Sequence, residues 1–132
     1  MASIEKFEDL EVWQRAREIC EYVEMLFNET KLGENFGLRN QMETSSGSIM
    51  DNIAEGFDRD GNKEFHNFLS YSKGSAGELK SQVYRAFDKK LISLEHFEKL
   101  ISLCEVEKNK LGAFMYYLRH SEHKGLKFKN EK

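Results

Sequence analysis

The sequence contains no proline in 132 residues, so no residue of that kind interrupts a long helix. A proline inside a helix costs about 3 kcal/mol, and its complete absence favours a chain that is helical along most of its length. Of the nine glycines, Gly33 and Gly56 lie where a predicted helix ends. The absence of proline is thus a signal for an all-α protein.

Four segments repeat apolar residues at intervals of three and four, the period of a helix with one buried face. We predict helices over about 7–28, 36–57 and 63–89, and a fourth that begins after Ser93. The candidate N-caps are Asp9 or Ser3, Asn62 and Ser93. Short links make successive helices antiparallel, so we expect an up-down-up-down antiparallel four-helix bundle. Nothing divides the chain, and residues 1–132 are predicted to form one domain.

Acidic residues slightly outnumber basic ones, with a formal net charge of −3. This balance argues against a dedicated nucleic-acid binder, because such proteins present a basic surface. No apolar run approaches the ~20 residues of a membrane span, and the start of the sequence lacks the apolar region of a secretory signal. We therefore expect a cytoplasmic protein with no membrane contact.

The end of the sequence, about 119–132, is basic although the whole chain is slightly acidic. Its basic residues are Arg119, Lys124, Lys127, Lys129 and Lys132, against Glu122 and Glu131. A basic tail can contact phosphate groups, but most short charged termini are solvated and disordered, and we favour that interpretation.

Motifs that would indicate catalysis or metal binding fail on spacing. No histidine has a glutamate three residues before it, as a di-iron bundle requires. The polar link 58–62 resembles a calcium loop and a phosphate loop, but Lys63 replaces the glycine of the first and Asn62 replaces the lysine of the second. Cys20 and Cys104 lie on apolar stripes, where cysteine is an inert small side chain. We expect no enzyme activity, cofactor, metal or small-molecule substrate.

Two predicted helices contain interior runs of small residues, 44–48 and 73–77. Each glycine there costs about 1 kcal/mol of helix propensity relative to alanine, so some other interaction has to offset it. We favour close packing between helices of the bundle. The alternative is a surface that receives the backbone of a partner, or a ligand.

Several motifs together resemble a known family. They are 7–13 (FEDLEVW), 36–38 (FGL) with Gln41, Ser48-Ile49, 52–57 (NIAEGF), Glu64-Phe65 with Phe68-Leu69, and Gly74-Ser75 with Glu78-Leu79. This succession resembles the bacterial four-helix-bundle family first noted as proteins encoded in intervening sequences of 23S ribosomal RNA genes. The resemblance implies a homopentamer with no settled biochemical role. A relative, the accessory variability protein of diversity-generating retroelements, binds nucleic acid and a reverse transcriptase.

The resemblance marks seven positions as packing or interface residues: Gln41, Asn52, Glu55, Gly56, Gly74, Ser75 and Glu78. We expect a non-enzymatic oligomeric scaffold or adaptor, which the resemblance implies is a homopentamer. Its expected partners are copies of itself and either another protein or an RNA–protein complex. Four tyrosines at the margins of the apolar stripes are candidates for subunit interfaces: Tyr71, Tyr84, Tyr116 and Tyr117.

The alternative is a nucleic-acid (RNA)-binding accessory protein. Its candidate phosphate contacts are Arg39, Lys73, Lys80, Arg85, Arg119, Lys124 and Lys127. Glu43 and Thr44 stand where family members commonly have two arginines, which removes two cationic contacts from this function.

Overall fold

The computed structural model describes residues 4–121, and the regular structure in that range is entirely helical. The four α-helices are α1 (Glu11–Glu29), α2 (Phe36–Phe57), α3 (Gly61–Asp88) and α4 (Leu94–His120). Two short 3₁₀ turns, Phe7–Asp9 and Lys31–Glu34, precede α1 and α2. The all-α prediction and the four helices are confirmed.

Contacts between α2 and α3 show that these helices run antiparallel. Near one end of the pair, Arg85 Nη1 donates a hydrogen bond to Gln41 Oε1 at 2.8 Å. Near the other end, Gly56 lies directly against Phe68. The helix α4 folds back along α3 in the same way, and α1 lies against both α2 and α4.

The four apolar stripes meet in one hydrophobic core. The fully buried large residues of this core include Ile19, Val23, Leu26, Met42, Ile49, Ile53, Leu69, Leu79, Leu100 and Leu111. Cys20, which the sequence placed on an apolar stripe, is only half-buried, and so is Trp13 of the same helix. Within residues 4–121, no helix has the length and apolar character needed to cross a bilayer.

The predicted N-cap is present at α4 but not at α1. At α4, Ser93 Oγ accepts a hydrogen bond from the His96 backbone N–H, and His96 Nδ1 accepts one from the Ser93 N–H, so the predicted cap is present. At α1, the cap by Asp9 is wrong: the helix begins at Glu11, after the 3₁₀ turn, and Leu10 occupies the N-cap without a side-chain bond. Ser3 lies outside the described residues.

Asn62 is not the cap of α3. The helix begins at Gly61, with Asp60 in the N-cap position. The Asn62 side-chain amide instead donates to the carbonyl of Leu118 at 3.3 Å, which ties the start of α3 to the last turn of α4. The Asn62 side chain, which the sequence predicted to cap α3, thus forms a tertiary hydrogen bond to α4 through its amide nitrogen.

The basic tail begins later than predicted, because α4 continues to His120. Arg119 lies within this helix, and its Nη1 is 2.8 Å from His66 Nε2 on α3. Residues 122–132, which include Lys124 and Lys127, lie outside the described residues.

The link between α3 and α4 places a lysine in a left-handed conformation. The N–H of Lys90 bonds to the carbonyl of Phe87, and the N–H of Leu91 bonds to that of Ala86, the two bonds of a Schellman turn. Glycine normally occupies this position, but here Lys90 has φ of 62°. A side chain makes that conformation unfavourable by roughly 1 kcal/mol.

Lys90→Gly should therefore raise the free energy of unfolding by about 1 kcal/mol, because glycine adopts this conformation without steric cost. Urea denaturation measures the change. Lys89→Gly is the matched control, since Lys89 has φ of −83° and gains nothing from glycine. Equal effects of the two substitutions would contradict this account of the turn.

Candidate assembly surface

Gly56 brings α2 and α3 into direct contact. A Cβ atom at this position would lie 2.5 Å from Phe68 Cβ and 3.1 Å from the ring of Phe65, closer than folded proteins tolerate without a shift. Gly56 is itself buried. Its role within the chain is packing, one of the two roles that the resemblance implied.

Buried hydroxyl groups add polar contacts to the same helix pair. Ser45 Oγ donates to Gln82 Oε1 at 2.6 Å, and Ser72 Oγ donates to the carbonyl of Ile49 at 2.8 Å. Because these groups lie away from water, each unsatisfied partner would cost about 1–3 kcal/mol. The packing interpretation is therefore confirmed for Ser45 in the run 44–48.

The glycines of the two small-residue runs behave differently. Apart from the neighbouring backbone of its own helix, a Cβ atom at Gly47, Gly74 or Gly77 would meet no described atom within 4 Å. Packing inside the bundle therefore does not explain them, and the favoured interpretation is wrong for these three positions. For these three glycines, the second interpretation of the small-residue runs is left, namely a surface to which a partner backbone or a ligand comes close.

The three open glycines lie on two different parts of the surface. Gly74 and Gly77 follow Tyr71 on the outer side of α3, and the Tyr71 side chain is 58% exposed. Gly47 instead borders a shallow groove of about 130 Å³ between α1 and α2, whose lining includes Cys20 and Phe27. The bundle thus has two separate surfaces: the surface of α3 around Tyr71, Gly74 and the half-buried Gly77, here named the α3 ridge, and the groove between α1 and α2.

Of the other motif residues, Gln41 accepts the hydrogen bond from Arg85 on α3, and the remaining four make local contacts or none. Asn52 Nδ2 donates to the carbonyl of Ser48 within α2, and Glu55 pairs with Arg59 one turn away at 2.8 Å. Ser75 is half-buried, and Glu78 is exposed without an ion pair among residues 4–121.

The two motif carboxylates do not form an acid–base pair. Gly56, next to Glu55, faces Phe68. Glu78 lies ten residues further along α3, a distance of ~15 Å. The two carboxylates therefore do not meet within one chain.

The two thiols are poor nucleophiles for a physical reason. Burial raises the pKa of the Cys104 thiol to about 12. Burial also raises the pKa of Cys20, whose Sγ donates to the carbonyl of Ser46 at 3.2 Å. The reactive form of cysteine is the thiolate, so the raised pKa values keep both thiols mainly protonated at neutral pH and lower their reactivity. Among the described residues, no group of three or more His, Cys, Asp or Glu side chains could hold a metal ion.

Most of the candidate phosphate contacts already bind groups of the bundle. Lys80 Nζ lies 2.8 Å from Glu105 Oε2, and Arg85 donates to Gln41. The Arg39 guanidinium donates to the carbonyl of Gly33 and stacks 5.2 Å from the centre of the Phe27 ring. Lys73 is exposed, on the side of α3 that faces Gly112 of α4.

These cations do not form one surface patch. Arg119 is bound to His66, near the start of α3, whereas Arg85 lies near its end. Arg85 lies nineteen positions after His66, which corresponds to ~28 Å of helix. The nucleic-acid contacts therefore stay a prediction that the arrangement does not favour.

An antiparallel bundle of four long helices with a continuous apolar core defines the chain as a four-helix-bundle protein. The family model of the 23S rRNA-intervening sequence protein matches residues 8–113, and the chain belongs to this family. The resemblance found in the sequence motifs is confirmed.

A solved structure shares the fold. It is the crystal structure of a protein with unknown function from the S23 ribosomal protein family of Bacteroides thetaiotaomicron VPI-5482. The two chains superpose with a TM-score of 0.72 over 79% of this chain and 97% of that one, at 20% sequence identity. The likeness concerns the fold alone. None of the curated proteins compared with the chain matches it.

Sequence reasoning missed a buried carboxylic acid, Glu107 of α4. Its side chain is fully buried, and neither oxygen has a hydrogen-bond partner among the described residues. Burial raises the pKa of Glu107 to about 8, partly opposed by the positive charge of Arg15. The sequence spacing indicated that Glu107 faces the core, because this residue follows Cys104 by three residues and precedes Leu111 by four, on the inner stripe of the helix.

The raised pKa makes the stability of the bundle depend on pH. Below about pH 8 the folded protein keeps Glu107 protonated, whereas the unfolded chain loses this proton near its ordinary pKa of 4.5. Folding therefore loses stability as the pH rises from 4.5 to 8, by roughly 3–5 kcal/mol in total. Glu107→Gln should match the original chain at pH 5 and exceed its stability at pH 9.

Urea denaturation at the two pH values measures this difference. Glu105→Gln is the matched control, because Lys80 lowers the pKa of the half-exposed Glu105, which is ionised at both pH values. A Glu107→Gln effect that is equal at pH 5 and pH 9 would show that the carboxyl group does not titrate in this range.

Proposed function

We propose that the chain is a non-enzymatic homo-oligomeric scaffold or adaptor, assembled as a ring of five copies that presents its outer surface to a protein or RNA–protein partner. The observation that carries the proposal is the pair of open glycines on α3, Gly74 and Gly77, beside the exposed Tyr71. This ridge is the place where a second copy would dock.

The energetic argument concerns helix propensity. Each glycine in an exposed helix costs about 1 kcal/mol relative to alanine, and Gly47, Gly74 and Gly77 receive no compensating contact inside the bundle. Their summed cost is a substantial part of the ~5–15 kcal/mol by which a typical domain is stable. Close approach of a neighbouring backbone, which a larger side chain would prevent, offsets that cost.

The arrangement of the surfaces supports a ring. A cyclic assembly of five requires a head-to-tail interface, in which each copy uses two different surfaces. The α3 ridge around Gly74 and the groove beside Gly47 are two such surfaces. Exposed tyrosines, which are enriched at protein interfaces, add Tyr84 and Tyr116 to the ridge residue Tyr71. The number five rests on the family resemblance.

Two observations support a role without catalysis: both thiols are held in the protonated form, and the motif carboxylates are far apart. Most of the candidate phosphate contacts within the described residues are paired and dispersed, which makes the scaffold a better proposal than the RNA-binding alternative.

Light scattering on the purified chain tests the assembly. We expect a mass near five times the 15.5 kDa of one copy. Gly74→Leu should give a folded single copy, because leucine favours the helix and fits the open space of the isolated bundle but fills the space that a neighbour requires.

Gly37→Leu is the matched control. A Cβ at Gly37 also meets no atom of the described chain, but this glycine lies in the first turn of α2, away from the α3 ridge. It should leave the mass unchanged. A clean single copy of the original chain at micromolar concentration, or an intact oligomer with Gly74→Leu, would contradict the proposal.

A further inference from the structure

The outer side of α1 carries a groove with an aromatic floor. Glu8, Trp13, Gln14, Arg17, Glu18 and Glu21 line this Trp13 groove, which has a volume of about 500 Å³. Trp13 is half-buried, packed against the ring of Phe7 at 5.3 Å between ring centres. The groove therefore offers an apolar ring face surrounded by charged side chains.

Carboxylates in the Trp13 groove outnumber the cations beside them. Within residues 4–121, Glu8 and Glu18 have no ion-pair partner. Arg17 is the one basic residue of the lining, 5.9 Å from the centre of the Trp13 ring and 4.0 Å from Glu21. The groove is left with excess negative charge, suited to a segment that brings lysine side chains.

The charge distribution along the chain singles out one such segment. Residues 1–29 contain eight acidic and three basic residues, whereas residues 30–121 contain thirteen of each. Residues 122–132 contain four lysines and two glutamates. The excess negative charge thus lies in the stretch that contains α1, and the excess positive charge lies in the segment after α4.

The end of α4 lies within reach of the Trp13 groove. Lys110 Nζ is 3.2 Å from Glu11 Oε2, which places this part of α4 beside the start of α1. His120 lies ten residues further on, ~15 Å along the axis. The eleven residues 122–132 span at most ~36 Å when extended, enough to return to Trp13 and Glu18.

The composition of residues 122–132 fits both features of the groove. Lys124, Lys127 and Lys129 alternate with Leu126 and Phe128. The lysines match the unpaired carboxylates, and an apolar side chain between them can cover the exposed part of the Trp13 ring.

We propose that residues 122–132 bind in the Trp13 groove of their own chain. This contact holds Lys124, Lys127 and Lys129 against Glu8, Glu18 and Glu21, so that these lysines are not available to phosphate groups. The contact lies within one chain and shields the lysines of residues 122–132. This proposal does not depend on the assembly proposed above.

Acrylamide quenching of fluorescence tests the contact, because Trp13 is the one tryptophan of the sequence. In the full chain at low salt, the triple variant Lys124→Glu, Lys127→Glu, Lys129→Glu should raise the quenching constant about twofold, since the uncovered ring becomes open to the quencher. The double variant Glu18→Lys, Glu21→Lys should do the same. Combining both sets should restore the low value.

Asp51→Lys is the matched control, an exposed carboxylate on α2 that does not line the groove, and it should change nothing. Salt near 1 M should raise the quenching of the original chain toward that of the triple variant, because charge pairs at the surface are screened. Equal quenching in all variants would overturn the proposal. Protection of Trp13 that disappears on dilution would assign the segment to another copy and also overturn it.

Discussion

The close approach of α2 and α3 at Gly56 is the constraint on which the rest of the structure depends. With no Cβ at this position, the rings of Phe65 and Phe68 lie against the backbone of α2. The contact fixes the antiparallel register of the pair. The buried Ser45–Gln82 bond and the surface Arg85–Gln41 bond then follow at the positions that this register brings together.

The same residue type has two different physical roles along these helices. At Gly56 a side chain is excluded by the chain's own aromatic rings, whereas at Gly74 there is open space. An open glycine in a helix is unfavourable for an isolated bundle, and contact with an approaching backbone would offset this cost. Under the proposal made above, the α3 ridge is the surface of contact between copies, which would link the helix-propensity cost of these glycines to the function proposed for the chain.

Much of the fold could be predicted from the sequence, because helix periodicity and the absence of proline are local properties. The cap at Ser93 was predictable for the same reason, since it involves residues three apart. Asn62 was not, because its partner, the carbonyl of Leu118, is distant in the sequence. Glu107 was overlooked although its position on the inner stripe was visible, since a carboxylic acid is rarely fully buried without a partner.

The candidate site was predictable only as a list of positions. Small-residue runs indicated two roles, packing or an approaching partner, and spacing alone does not separate them. The two roles are distinguished by the distance from a Cβ built on each glycine to the atoms around it. This distance is short at Gly56, whereas outside the local helix backbone it exceeds 4 Å at Gly47, Gly74 and Gly77. The pairing of the cations could not be predicted from the sequence either, because the partners of Lys80 and Arg119 lie on other helices.

A crystal structure of the assembled full chain tests the central claim most directly. The account predicts that backbone or side-chain atoms of a neighbouring copy lie within about 4 Å of the Gly74 Cα, and that the neighbour uses a different surface from the α3 ridge. An assembly in which Gly74 and Gly77 face solvent in every copy would contradict it.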